Sequence, residues 1–167
     1  MTPLYWILAL VAAQRIAELA YAERNTRALR ERGAIEVAPE QHPWFVALHA
    51  CWLVSMLAFI PRDTVPNWYL AGIFFILQFL RIWVLATLGP FWTTRIITLP
   101  GAPLVRRGPY RFFKHPNYTI VVLEIAILPL AFGAWWIAIV FSIANALLLR
   151  RRITAEERAL APRRQES

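Results

Sequence analysis

The residues whose types suit chemistry fall in two short segments of this 167-residue chain. The first reads Gly108-Pro109-Tyr110, then four residues, then His115-Pro116-Asn117-Tyr118. The second reads Arg152-Ile153-Thr154-Ala155-Glu156-Glu157. Gly108-Pro109-Tyr110 reads as a turn, and His115-Pro116-Asn117-Tyr118 as a helix start with proline near its first turn. A helix N-terminus there offers free backbone N–H groups to a bound polar ligand. If the second segment is helical, Arg152 and Glu156 lie one turn apart on the same face. The paired carboxylates Glu156 and Glu157 can hold hydroxyls or the ammonium of a cationic ligand. The bland alternative is a surface salt bridge in a basic helix.

The elements that must position these segments point to lipid as the solvent. Apolar residues make up 59% of the chain and charged residues 17%, whereas soluble domains are about half apolar and a quarter charged. Apolar blocks run from Pro3 to Ala22, Pro43 to Ile60, Trp68 to Leu88 and Tyr118 to Leu149. The first three approach the ~20 residues that cross a bilayer as helix. The fourth would be about 48 Å long at 1.5 Å per residue, too long for one crossing without a steep tilt. Pro129 and Gly133 offer a break. The reading is therefore an all-α integral membrane protein, one domain over residues 1–167. It has five transmembrane helices, at about 3–22, 43–60, 68–88, 117–131 and 134–152. The last two form a hairpin, with a cytoplasmic loop over 88–118 and a C-terminal helix extension.

Charge supports five spans. Residues 23–42, 89–117 and the C-terminus hold four, five and six basic residues, and the opposite side only Arg62. The positive-inside rule makes the basic side cytoplasmic, with the N-terminus outside. The run Pro3 to Ala13 has no basic region before it and no small-residue cleavage site after it, so it reads as a retained span. The net charge of +8 flanks apolar spans without aromatic interleaving, which favours membrane lipids as partners and excludes nucleic acid. Cys51, the single cysteine, allows no internal disulfide and no Cys-rich metal site; no metal is expected. Most tryptophans lie near span ends, as interfacial anchors do.

Polar residues also fall inside the spans: Gln14, Arg15, Glu18, Gln78, Arg81, Glu124 and Asn145. Ionisable groups in hydrocarbon face a bundle interior and pair. Arg15 and Glu18 share a helix face, and Arg81 is a plausible partner for Glu124 across helices. Such pairs either hold the bundle in register or shape a polar cavity.

The two-part motif, Gly-Pro-Tyr-(four residues)-His-Pro-Asn-Tyr and then Arg-Ile-(two residues)-Glu-Glu-(one residue)-Ala-Leu after a hydrophobic hairpin, resembles the isoprenylcysteine carboxyl methyltransferase family. Gln14 to Leu19, Glu23-Arg24-Asn25 and Leu88 to Arg95 resemble a short bacterial branch, which includes O-methyltransferases of alkylpyrones made by type III polyketide synthases. The resemblance implies S-adenosylmethionine as cofactor and a polyketide synthase as a pathway partner. It also implies a cofactor pocket of Ala102, Pro103, Leu104 and Val105, largely through backbone, with Tyr110, His115, Pro116, Asn117 and Tyr118. Glu156 completes that pocket, with Glu157 beside it. Arg95 falls where some relatives carry a cofactor-contacting polar residue. Arg152 matches the catalytic arginine at the substrate end. Eukaryotic members have more spans and a longer N-terminus, which argues against prenylated-protein substrates.

The resemblance implies methyl transfer to a lipophilic small molecule, at a carboxylate or an acidic enol. Both ionise near neutral pH and need no dedicated base, so the enzyme must mainly align the nucleophile and exclude water. Arg152 would hold the anionic oxygen with its forked donors. His115 suits cofactor contact or helix capping better than base catalysis. Alternatives are phospholipid or amine N-methylation, a sterol-type membrane reductase, and a non-catalytic membrane partner or small transporter built on the intramembrane charges.

Overall fold

The computed structural model describes residues 2–102 and 105–165, with side chains as far as residue 161. Five α-helices lie among the described residues. α1 (Pro3–Glu31), α2 (His42–Phe59) and α4 (Pro116–Ala131) carry proline in their first two positions, where its fixed φ suits a helix and its missing N–H costs no bond. α3 (Trp68–Leu88) is capped by Asn67, whose Oδ1 accepts from the N–H groups of Tyr69 at 3.0 Å and Leu70 at 3.2 Å. Three residues separate the end of α4 from the start of α5 (Trp135–Gln165). In that turn Gly133 adopts φ 71°, and its N–H donates to Leu130 at 3.0 Å. The expected hairpin is therefore present, and α4 packs against both α3 and α5. Pro129 is not its break: the proline sits inside the last turn of α4, where it removes only one late hydrogen bond.

Two helices outrun their predicted spans. α1 continues nine residues past Ala22 to Glu31, because Glu23 and Arg27 pair across one turn at 3.3 Å and the first breaker is Gly33 at φ 85°. This extension is functional scaffolding: buried Asn25 donates to the carbonyls of Gly89 at 3.0 Å and Trp92 at 2.9 Å. α5 likewise runs past residue 152 to Gln165. After α3 the chain forms β2 (Ile96–Thr98), paired antiparallel with β1 (Ile35–Val37), which the sequence reading did not anticipate. The fold is thus all-α apart from this two-stranded clasp. Glu36 in β1 bonds Arg95 at 2.8 Å and also bonds Arg30. Burial opposes its ionisation, but the two guanidinium groups outweigh burial and hold its carboxyl below the ordinary 4.5.

α1, α2 with its preceding 3-10 turn, and α3 are long and apolar enough to cross a membrane; α4 is shorter. The bundle is apolar on both sides of its surface. Trp52, Met56, Phe74, Leu128 and Ile137 are fully buried, while Trp6, Trp44, Trp68, Phe79 and Trp135 face outward. The charges go inside instead. Arg81 grips Glu18 in a forked pair, Nε and Nη2 both at 2.6 Å, and reaches Glu124 at 3.2 Å. Arg15 bonds the same two carboxylates at 3.1 and 2.7 Å. Gln14 donates to Glu18 at 3.0 Å and Gln78 to Glu124 at 2.9 Å. The predicted Arg81–Glu124 pairing is present, as half of a charge-balanced quartet that ties α1, α3 and α4 together. Asn145, also singled out from the sequence, is buried in α5 with neither amide atom bonded.

Candidate active site

A cavity of about 800 Å³ opens among α1, α2, the segment after α3, α4 and α5. It lies within the roughly 300–1,000 Å³ of small-molecule sites. One end is polar and the rest is not: Ala12, Ile16, Leu19, Val46, Leu53 and Val121 make an apolar wall between α1, α2 and α4.

The polar end is built around Tyr118, in the first turn of α4. Its hydroxyl accepts from Arg152 Nε at 2.9 Å and donates to Glu156. Arg152 and Glu156 stand one turn apart on α5, as their spacing predicts, and Tyr118 bridges them. Arg152 is held on two more sides. Nη2 donates to the Thr94 carbonyl at 2.9 Å, and the guanidinium lies 5.0 Å from the Phe45 ring centroid. Nη1 makes no hydrogen bond among the described residues, which leaves its donors for a ligand oxygen. Thr94 is itself fixed by His42, whose Nε2 lies 3.0 Å from its hydroxyl.

His115 stacks on Tyr118, with ring centroids 5.3 Å apart. Its nitrogens approach Glu156 at 3.8 Å and Glu157 at 3.9 Å, beyond hydrogen-bond range. His115 Nε2 and Asn117 Oδ1 are buried and have no hydrogen-bond partner among the described residues. Native interiors rarely leave such atoms unmet, so a missing ligand or water is the ordinary reason. Tyr110 also lines the cavity. Burial, assisted by the Glu156 carboxylate, pushes its phenol up, so it stays protonated and available as a donor.

Of the residues expected here, Val105, Tyr110, His115, Asn117, Tyr118, Arg152 and Glu156 all line the one cavity. Four others are placed differently. Glu157, one residue on from Glu156, is rotated off the cavity wall and its side chain is 44% exposed. Pro116 is buried as the first residue of α4 rather than in the wall. Ala102 is held back by its N–H, which donates to Leu99 at 3.2 Å. Arg95 borders the cavity but is committed to Glu36. His115 precedes α4 yet its side chain caps nothing. Pro103 and Leu104 lie outside the described residues. Phe45, Thr94, His42 and His49 were not singled out. The two histidines carried a signal all the same: each is an ionisable group at or inside an apolar span, the property that marks Glu124.

The apolar-surfaced helical bundle, with three helices long and apolar enough to cross a membrane and a ligand-sized cavity polar at one end, is that of an integral membrane protein. The chain belongs to the isoprenylcysteine carboxyl methyltransferase (ICMT) family, whose sequence model matches residues 70–162. That match takes in α3, β2, α4 and α5, and so most of the polar end. Membership implies a methyltransferase embedded in a membrane. An uncharacterized protein of Bacillus subtilis (strain 168), YpbQ, is 38% identical over 162 residues, which cover 94% of this chain and 96% of that protein. The likeness therefore extends through α1 and α2, which supply the apolar wall. No solved structure matches the chain.

Proposed function

We propose that the protein transfers a methyl group from S-adenosylmethionine to an ionised oxygen, carboxylate or acidic enol, of a lipophilic small molecule. The observation that carries this reading is the two-part cavity: a polar end with unmet hydrogen-bonding atoms, continuous with an apolar wall. The residues present suit the cofactor. Glu156 and Asn117 Oδ1 accept from hydroxyl, amino or ammonium groups, Tyr110 donates, and His115 and Tyr118 form a stacked aromatic surface. When bound, the cofactor supplies a methyl group already activated by its sulfonium.

What the chain adds is alignment. Arg152 is locked by Tyr118, Thr94 and Phe45, so its free donors hold an anionic oxygen at a fixed place without reorganisation. Tyr118 passes part of the Arg152 charge to Glu156, which keeps the arginine from pairing so fully with the substrate that its oxygen loses nucleophilicity. The apolar wall excludes water and takes the lipophilic part. An amine acceptor suits this geometry poorly, since a fixed guanidinium repels an ammonium group.

In this reading five helices cross a cytoplasmic membrane, with the N-terminus outside and the polar end of the cavity at the cytoplasmic face, in line with the basic residues of the sequence. The cofactor enters from the cytoplasm and the substrate laterally from lipid. The test is transfer of labelled methyl from S-adenosylmethionine into organic-extractable product, with lipophilic acids and enols offered to detergent-purified protein. The reading expects a labelled ester or enol ether, and its loss in Arg152→Lys. Label appearing only in phospholipid amines would overturn the oxygen acceptor.

A further inference from the structure

One ionisable side chain on the cavity wall is used by nothing described so far. His49 lies in α2 one turn beyond Phe45, so it sits about 5–6 Å deeper in the bundle than the residue that touches Arg152. Its Nδ1 lies 2.8 Å from the Phe45 carbonyl. A carbonyl only accepts, so Nδ1 carries the proton, and the neutral ring presents Nε2 as an acceptor. Among the described residues Nε2 makes no hydrogen bond, and His49 lines the cavity together with Arg15, Glu18 and Arg81. The ring is further fixed edge-on against Trp52, with centroids 6.5 Å apart.

The charged groups around it leave one kind of vacancy. Glu18 and Glu124 are saturated by Gln14, Arg15, Gln78 and Arg81. Arg15 spends one N–H of Nη1 on Glu18 and one of Nη2 on Glu124; a guanidinium carries five N–H groups, so donors remain. A wall meant only for a hydrocarbon tail needs neither an open acceptor nor open donors, since each costs free energy when dry. A group that both donates and accepts answers both needs, and a hydroxyl is the smallest that does.

We propose that His49 and Arg15 form a second polar subsite, which takes a hydroxyl group carried by the lipophilic substrate roughly one helical turn from the oxygen held at Arg152. The proposal rests on the methyltransferase reading for its assignment of the Arg152 end. It narrows the substrate to amphiphiles with two polar groups separated by a few bonds, a reacting anionic oxygen and a deeper hydroxyl, ahead of an apolar remainder.

The probes are dodecanoic acid and its 3-, 5- and 7-hydroxy derivatives, with dissociation constants measured by titration calorimetry on the full chain in one detergent. The wild type binds at least one hydroxy acid about tenfold tighter than the parent, the value of a hydrogen bond of ordinary net strength. His49→Phe removes that preference, while His49→Gln, which restores an acceptor, keeps most of it. S-adenosylhomocysteine is titrated into the same samples. Its failure to bind folded wild type would count against the methyltransferase reading and leave the hydroxyl preference to be judged on its own. No preference among the four acids in wild type, including no binding of any, overturns the subsite. So does a preference that survives in His49→Phe.

Discussion

Deep in the bundle, Glu18 receives four hydrogen bonds and Glu124 three, all from two arginines and two glutamines. At the cavity mouth, Glu156 receives one hydrogen bond, from Tyr118, while Asn117 Oδ1 and His115 Nε2 beside it receive none. Both regions are built around glutamates largely shielded from solvent. What separates them is how far the chain itself meets each carboxylate, although Arg15 Nε and Gln78 Oε1 in the deep cluster stay unmet among the described residues. A carboxylate whose partners come mainly from the chain holds helices in register. A polar group left unmet at a cavity is available to a ligand, and the protein accepts the cost of leaving it so. Burial of an ionisable residue in a membrane protein is thus a weaker sign of a binding site than the incompleteness of its hydrogen bonding.

The comparison breaks or sharpens under substitution. The largest effect belongs to Arg81→Met, which strands two buried carboxylates; the expected loss is about 3–5 kcal/mol of stability, read as a collapse of the thermal unfolding transition in detergent. Were Arg81→Met to stay stable and merely lose turnover, the deep quartet would have to be counted as part of the active site. Next is Arg152→Lys. It keeps the charge but loses the fork that reaches Tyr118 and Thr94 together, so turnover should fall about a hundredfold with the unfolding transition little moved. Tyr118→Phe should cost about tenfold in turnover, since Arg152 keeps Thr94 and Phe45 but loses one charge-assisted bond.

The smallest effect concerns the clasp. Glu36 has its carboxyl held below the ordinary 4.5, so its contribution to stability is complete above that range and fades as pH falls through the lowered folded value. Unfolding followed from pH 7 downward should therefore show an acid-side loss, beginning below about pH 4.5, that is reduced in Glu36→Gln. An unchanged acid profile in the variant would mean that the clasp contributes nothing through its charge.

Much of the scaffold was legible because each helix announces itself locally. Pro116 marks the start of α4 and Gly133 the turn after it, and the apolar blocks beginning at Pro3, Pro43 and Trp68 mark the bodies of α1, α2 and α3. The Arg152–Glu156 spacing and the inward pairing of Glu124 follow from helical period and from the cost of charge in lipid. What was not legible is what depends on register between elements distant in sequence. Nothing near Ile35 announces Thr98 as its partner, and nothing near Arg152 announces the Thr94 carbonyl or the Phe45 ring. The same reason explains the differences. A Glu-Glu pair reads as one unit in sequence, but a helix turns Glu157 about 100° from Glu156 and off the cavity wall. Hydropathy marks the apolar span of α1 to Ala22, whereas the helix itself continues to Glu31.

The central claim is that the incomplete cluster at the cavity mouth is a cofactor site, and titration calorimetry of S-adenosylhomocysteine into detergent-purified wild type and Glu156→Ala tests it most directly. The account predicts saturable binding to wild type, weakened at least about tenfold in the variant, the least expected from losing a hydrogen-bonded carboxylate. Folded wild type that takes up no ligand, or a variant that binds as well as wild type, would contradict it.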